Sequence, residues 1–131
     1  MKLITKDTGY AIRALNCISG VEGQIVTVSD LAERLDIPRP FLRKILQVLK
    51  KKGILDSYKG KNGGFVLSVD PEKITVLGLI EIFQGKFCLK EHVFYGKRCS
   101  YFKNCSLKKK IDILETRVAG ELKAITIGSL T

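Results

Sequence analysis

The sequence predicts a mainly α fold with one small β-hairpin, arranged as a winged helix-turn-helix followed by a long C-terminal dimerisation helix. Three observations carry this reading. Two short apolar-periodic runs, 27–36 and 41–49, flank a turn containing Pro38 and Pro40. Directly behind them, two strand-like runs are joined by Lys59-Gly60-Lys61-Asn62-Gly63-Gly64. Near the end, Ile111, Leu114, Val118 and Leu122 form one stripe at helical spacing.

The elements follow in order. From about Thr5 to Ser19, Tyr10, Ala11, Ala14, Leu15 and Ile18 fall on one helical face, and Gly20 and Gly23 end the run. Cys17 in this helix reads as a small buried hydrophobe. Thr27 before Val28 is an N-cap signal. Asp36-Ile37-Pro38-Arg39-Pro40 is a turn, because each proline disfavours helix in the residue before it. Phe41, Leu42, Ile45, Leu46 and Leu49 then form the inward stripe of the next helix, which Gly53 ends. Strands are expected at 54–58 and 65–69. After Pro71, the run from Ile74 to Phe83 reads as helix with Leu77, Ile80 and Phe83 as core. The final helix is expected from about Leu107 to Ile125, where Ile111, Val118 and Ile125 repeat every seven residues as in a helix that packs on another.

The chain has 131 residues, one domain or one domain with an extension, and a net charge of +10, which favours a polyanionic partner. The charge is clustered. Between Arg39 and Lys61 stand Arg39, Arg43, Lys44, Lys50, Lys51, Lys52, Lys59 and Lys61 against the single acid Asp56. No apolar run approaches the length of a membrane span, and residues 1–7 lack the apolar core of a secretory signal. A cytoplasmic chain with reduced thiols is the resulting expectation.

The second helix of a helix-turn-helix enters the major groove of double-stranded DNA with its N-terminal residues on base edges. With Leu42, Ile45 and Leu46 inward, the outward residues are Arg39, Pro40, Arg43, Lys44 and Gln47. Arg43 can donate a bidentate pair to guanine, whereas Lys44 and the hairpin residues Lys59, Lys61 and Asn62 suit the phosphate backbone. Thr27 completes the expected DNA-binding set. Lys50, Lys51 and Lys52 read more simply as a solvated helix C-terminus favoured by the helix dipole.

Between the last two helices lie Cys88, Cys99 and Cys105, spaced C-x10-C-x5-C, with His92 as the only histidine. Thiolates hold iron–sulfur clusters and zinc. Three thiolates with His92 would make a structural zinc site, although the spacing is wider than in common zinc modules. A metal-free redox switch is the third option, since Lys97, Arg98 and Lys103 favour the reactive thiolate. An enzyme is not expected, because there is no C-x-x-C pair and no base–nucleophile arrangement beyond one loop histidine.

Taken together, these segments resemble the Rrf-two family of bacterial winged-helix regulators. The carriers are Met1-Lys2-Leu3 with Tyr10-Ala11-Ile12-Arg13-Ala14-Leu15, then Leu31-Ala32-Glu33-Arg34-Leu35-Asp36-Ile37-Pro38 and Phe41-Leu42-Arg43-Lys44-Ile45-Leu46. Lys59-Gly60, Gly63-Gly64-Phe65-Val66-Leu67, Ile74-Thr75-Val76 and Ile125-Thr126-Ile127-Gly128-Ser129-Leu130 extend the match over nearly the whole chain. The resemblance implies a homodimer on the last helix and an iron–sulfur cluster, two-iron or four-iron, on Cys88, Cys99 and Cys105. Three departures stand out. The x10 spacing is wide, Lys108 stands where the family's cluster regulator takes a histidine ligand, and Gly9 aligns where other members use an acid. The fourth ligand is therefore open among His92, Asp7 of the partner subunit and an exogenous group. Arg43 stands where the cluster regulator carries a glutamate, so operator preference should differ.

The expected organisation is a DNA-binding region at 1–70, then a connector helix, a sensor loop at about 86–106 and the dimerisation helix within 71–131. The expected function is a DNA-binding transcriptional regulator, a repressor, whose operator binding follows cluster occupancy or redox state. The alternatives are a zinc-stabilised DNA-binding adaptor without sensing and a thiol switch without metal.

Overall fold

The computed structural model describes residues 2–21, 23–89 and 106–130. Helix α1, Lys6–Ser19, buries Ala11, Ala14, Leu15 and Ile18, with Tyr10 only partly covered at the edge of that face. Cys17 is half-buried against the same core. Helix α2, Val28–Leu35, starts at Thr27, whose hydroxyl accepts the Asp30 N–H at 3.1 Å. It ends at Asp36 in the left-handed region, φ 53°, a conformation that a short polar side chain tolerates. Arg13 of α1 donates from Nη2 to the Leu35 carbonyl at 2.9 Å, which satisfies an orphan acceptor at that helix end.

Helix α3, Arg39–Lys51, follows Pro38 at its N-cap. Pro40 sits in the first turn, where a missing N–H costs nothing. Leu42, Ile45, Leu46 and Leu49 are buried. Phe41 is not: it is 55% exposed, contrary to the inward placement expected from the apolar stripe. The spacing 42, 45, 46, 49 already fills one helical face, and Phe41 lies off that face.

Strands β1, Leu55–Tyr58, and β2, Gly64–Leu67, pair antiparallel with Leu55 opposite Leu67 and Tyr58 opposite Gly64. Both are four residues long, so the expected runs are trimmed and β2 begins one residue early. Val26 adds a bridge to Phe65 through reciprocal hydrogen bonds of 2.9 and 2.8 Å. That close approach explains Gly64, since a Cβ there would collide with the Val26 carbonyl oxygen.

A 3-10 turn at Pro71–Lys73 leads into α4, Val76–Gln84, capped by the Thr75 hydroxyl on the Gly78 N–H at 3.0 Å. Its buried residues are Val76, Leu79 and Ile80, whereas Leu77 and Phe83, expected as core, are half-buried. This helix is apolar almost all round, so periodicity does not select its inner face. Helix α5, Ser106–Ala124, buries Leu122 alone. The chain then returns beside α4's start: Ile127 N–H donates to Ile74 O, and Val76 N–H to Ile125 O, both at 2.9 Å. A 3-10 turn, Gly128–Leu130, follows.

The main core joins residues of α1, α2, α3 and both strands with Ile74, Leu79 and Ile127. A small satellite holds Val76, Ile80 and Leu122, with Val118 and Phe87 packed against it. No helix among the described residues is long and apolar enough to cross a membrane.

Candidate nucleic-acid interface and cysteine segment

The burial of Leu42, Ile45, Leu46 and Leu49 turns the opposite side of α3 to solvent. Arg39, Pro40, Arg43, Lys44 and Gln47 are all exposed there and, with Val48, line one open cleft. All five side chains expected to face DNA from this helix are thus brought together. Lys59, Lys61 and Asn62 are exposed in the turn between β1 and β2. Gly60, at φ 111°, and the Gly63 N–H donating to Gly60 O at 3.0 Å shape that turn. Thr27 is half-buried and its hydroxyl is engaged in capping α2.

Two exposed aromatics were not expected: Phe41, and Tyr58, the latter 54% exposed at the end of β1. Strand alternation carries the signal for Tyr58, because it has the phase opposite to buried Leu55.

The cysteine segment leaves α4 at Gln84, and Gly85, at φ 85°, turns the chain away. Gln84 is a hub. Its Oε1 accepts from the Thr8 hydroxyl at 2.7 Å, the Thr5 N–H at 3.0 Å and the Thr5 hydroxyl at 3.3 Å. Its Nε2 donates to the Leu3 carbonyl at 3.1 Å. Thr8 is fully buried, so the hub satisfies a polar group that has no access to water. Just after Cys88, the Leu89 N–H donates to Glu115 Oε1 of α5 at 2.7 Å. Cys88 stands between these two anchors, exposed, beside a small cleft lined by Lys2, Leu3, Gln84 and Phe87.

Cys99, Cys105 and His92 lie outside the described residues. Among the described residues no three histidine, cysteine or acidic side chains gather as a metal site. No sequence signal announces the Gln84 hub, since its partners are 76 to 81 positions away.

A helix-turn-helix with a hairpin wing and a basic outward helix defines a DNA-binding regulator of the winged-helix class. The family model for Rrf2, described as an iron-dependent transcriptional regulator, matches residues 4–131, and the chain belongs to that family. It is 34% identical over 131 residues to an HTH-type transcriptional regulator of Aquifex aeolicus, covering 98% of this chain and 91% of that one. It is 28% identical over 128 residues to the HTH-type transcriptional regulator NsrR of Bacillus licheniformis, covering 88% and 87% of the two chains. Among solved structures, the global cysteine regulator CymR of B. subtilis superposes with a TM-score of 0.80 at 20% identity, over 99% of this chain and 96% of that one. The IscR of T. potens does so with 0.75 at 22% identity, over 99% and 85%. The fold is therefore that of a winged-helix transcriptional regulator, mainly helical with a two-stranded hairpin and a long C-terminal helix.

Proposed function

We propose that this regulator binds operator DNA as a homodimer and that the state of Cys88, Cys99 and Cys105 sets its affinity. The observation that carries the DNA reading is the sorting of α3: its apolar residues are buried, and Arg39, Pro40, Arg43, Lys44 and Gln47 share one exposed face. Arg43 reads a base edge, while Lys44, Lys59, Lys61 and Asn62 hold phosphates. The homodimer rests on α5, where Ile113 is 62% and Leu114 48% exposed in the single chain.

The sensing half rests on donor chemistry. Three thiolates within one segment suit iron, and the family description names iron dependence. Cys88, Cys99 and Cys105 would hold an iron–sulfur cluster, which supplies a centre that oxidation or loss of iron can remove. The route to DNA runs through the anchors of Cys88. Gln84 ties the segment to the start of α1, whose other residues pack in the same core as α3, and Leu89 ties it to α5.

Two experiments test this reading. Arg43→Ala should lose affinity for a selected site by about 1–3 kcal/mol and relax preference at one base pair. An equal loss on random DNA makes Arg43 a phosphate contact instead. Anaerobically purified protein should be brown and contain iron and sulfide. A colourless protein containing zinc selects the adaptor reading with His92 as fourth ligand, and a colourless metal-free protein selects the thiol switch.

A further inference from the structure

We infer that Pro40 and Phe41 determine operator specificity by reading the 5-methyl groups of thymine, beside the base contact of Arg43. The inference rests on the DNA-binding reading above and deepens it.

Beside Arg39, the exposed first turn of α3 presents two apolar residues, Pro40 and Phe41. Pro40 has no N–H to offer, and Phe41 presents more than half of its surface to solvent. The core has no use for that ring, because Leu42, Ile45, Leu46 and Leu49 complete the buried face without it. The first turn of a recognition helix is the part that meets base edges. In the major groove, the one apolar group a base pair offers there is the thymine methyl. The adjoining cleft continues the same chemistry: Pro40 and Val48 line it with Arg39, Arg43, Lys44 and Gln47, whose long stems add methylene surface below their polar ends.

A second copy of the chain is a poor cover for this turn. Arg39, Arg43 and Lys44 surround it, and the whole chain carries +10, so a like-charged partner is repelled where a polyanion is drawn in. The apolar surface suited to self-association lies on α5 instead.

The test begins with duplexes selected from a random-sequence pool by the purified full-length protein. In the selected duplex each thymine is replaced singly by uracil, which removes the methyl group and keeps every hydrogen-bonding group. At one or two positions per half-site, wild type should lose about fourfold in affinity, the worth of one buried methyl group. In Pro40→Ala and Phe41→Ala the penalty should shrink at those positions, while both variants keep their discrimination at the Arg43-dependent base pair. Uracil replacements without effect, in a protein that still needs Arg43, overturn the inference and leave the DNA-binding reading standing. Methyl sensitivity retained in both variants overturns it too, as does a Phe41→Ala variant whose only change is its sedimentation. Failure to select any sequence from the pool removes the DNA-binding reading itself.

Discussion

The region from α1 to β2 and helix α5 use their apolar residues in opposite ways. In the first, Leu15, Ile18, Leu31, Leu42, Leu46, Leu49 and Leu55 are almost wholly buried in one cluster. In α5, a longer helix than any of them, only Leu122 is buried, while Leu107, Ile113 and Leu114 are left exposed. Among the described residues, the α1–β2 region thus covers its apolar side chains within one core, whereas α5 leaves several uncovered. Leu122 and Val118 pack on α4, but the exposed apolar side chains of this 19-residue helix add nothing to its stability until they too are packed. A second α5 is the cover we propose.

The comparison predicts different consequences for like substitutions. Leu46→Ala should cost the fold about 2–5 kcal/mol, as a fully buried leucine does when a cavity is left. Urea denaturation checks this, and a midpoint unchanged from wild type would mean that α3 is not held as described. Leu114→Glu should leave the α1–β2 core intact but turn dimers into monomers or insoluble protein, since covering the exposed half of Leu114 contributes about 0.8–1.5 kcal/mol and a carboxylate in its place would be buried unpaired. Sedimentation at micromolar concentration reads this out, and a wild-type monomer there would remove the dimer.

Gln84 joins the end of α4 to the start of α1. Gln84→Leu leaves the Thr5 N–H and the buried Thr8 hydroxyl without their acceptor, at a cost of about 1–3 kcal/mol. Gln84→Glu keeps an acceptor for both and should recover much of that stability. If the hub also carries the signal, operator affinity in Gln84→Leu should respond less to the state of the cysteines than in wild type. A full response in a destabilised variant would make Gln84 purely structural. The smallest expected effect is in the wing. Replacing Lys59 and Lys61 by alanine should reduce the slope of log affinity against log salt by about 2, roughly 0.9 for each phosphate no longer neutralised. An unchanged slope would take the wing off the DNA.

Much of the fold was legible because its signals are local. Pro38 and Pro40, the Thr27 cap and the glycines of the wing each act within a few residues, and the structure has α2, α3 and the hairpin where those signals point, within a residue or two. Phe41 fits the inward stripe by standing four residues before Ile45, but whether the first member of such a stripe turns inward depends on how the partner helices fill the face. The inner side of α4 was hidden for the related reason that Val76, Leu77, Leu79, Ile80, Ile82 and Phe83 nearly surround it. The outward residues of α3 were readable by elimination. The Gln84 hub and the Leu89–Glu115 bond were not, because a hydrogen bond between distant residues leaves no periodicity behind.

In the function we propose, chemistry at three cysteines controls what α3 and the wing do. Operator affinity measured anaerobically on the same preparation, before and after removal of iron, tests it most directly, in wild type and in the four single Cys→Ser variants. The account predicts that affinity changes on iron removal in wild type and in Cys17→Ser, and that Cys88→Ser, Cys99→Ser and Cys105→Ser already behave as iron-free. Equal affinity of loaded and iron-free wild type, or cofactor lost from Cys17→Ser and kept in Cys99→Ser, would contradict it.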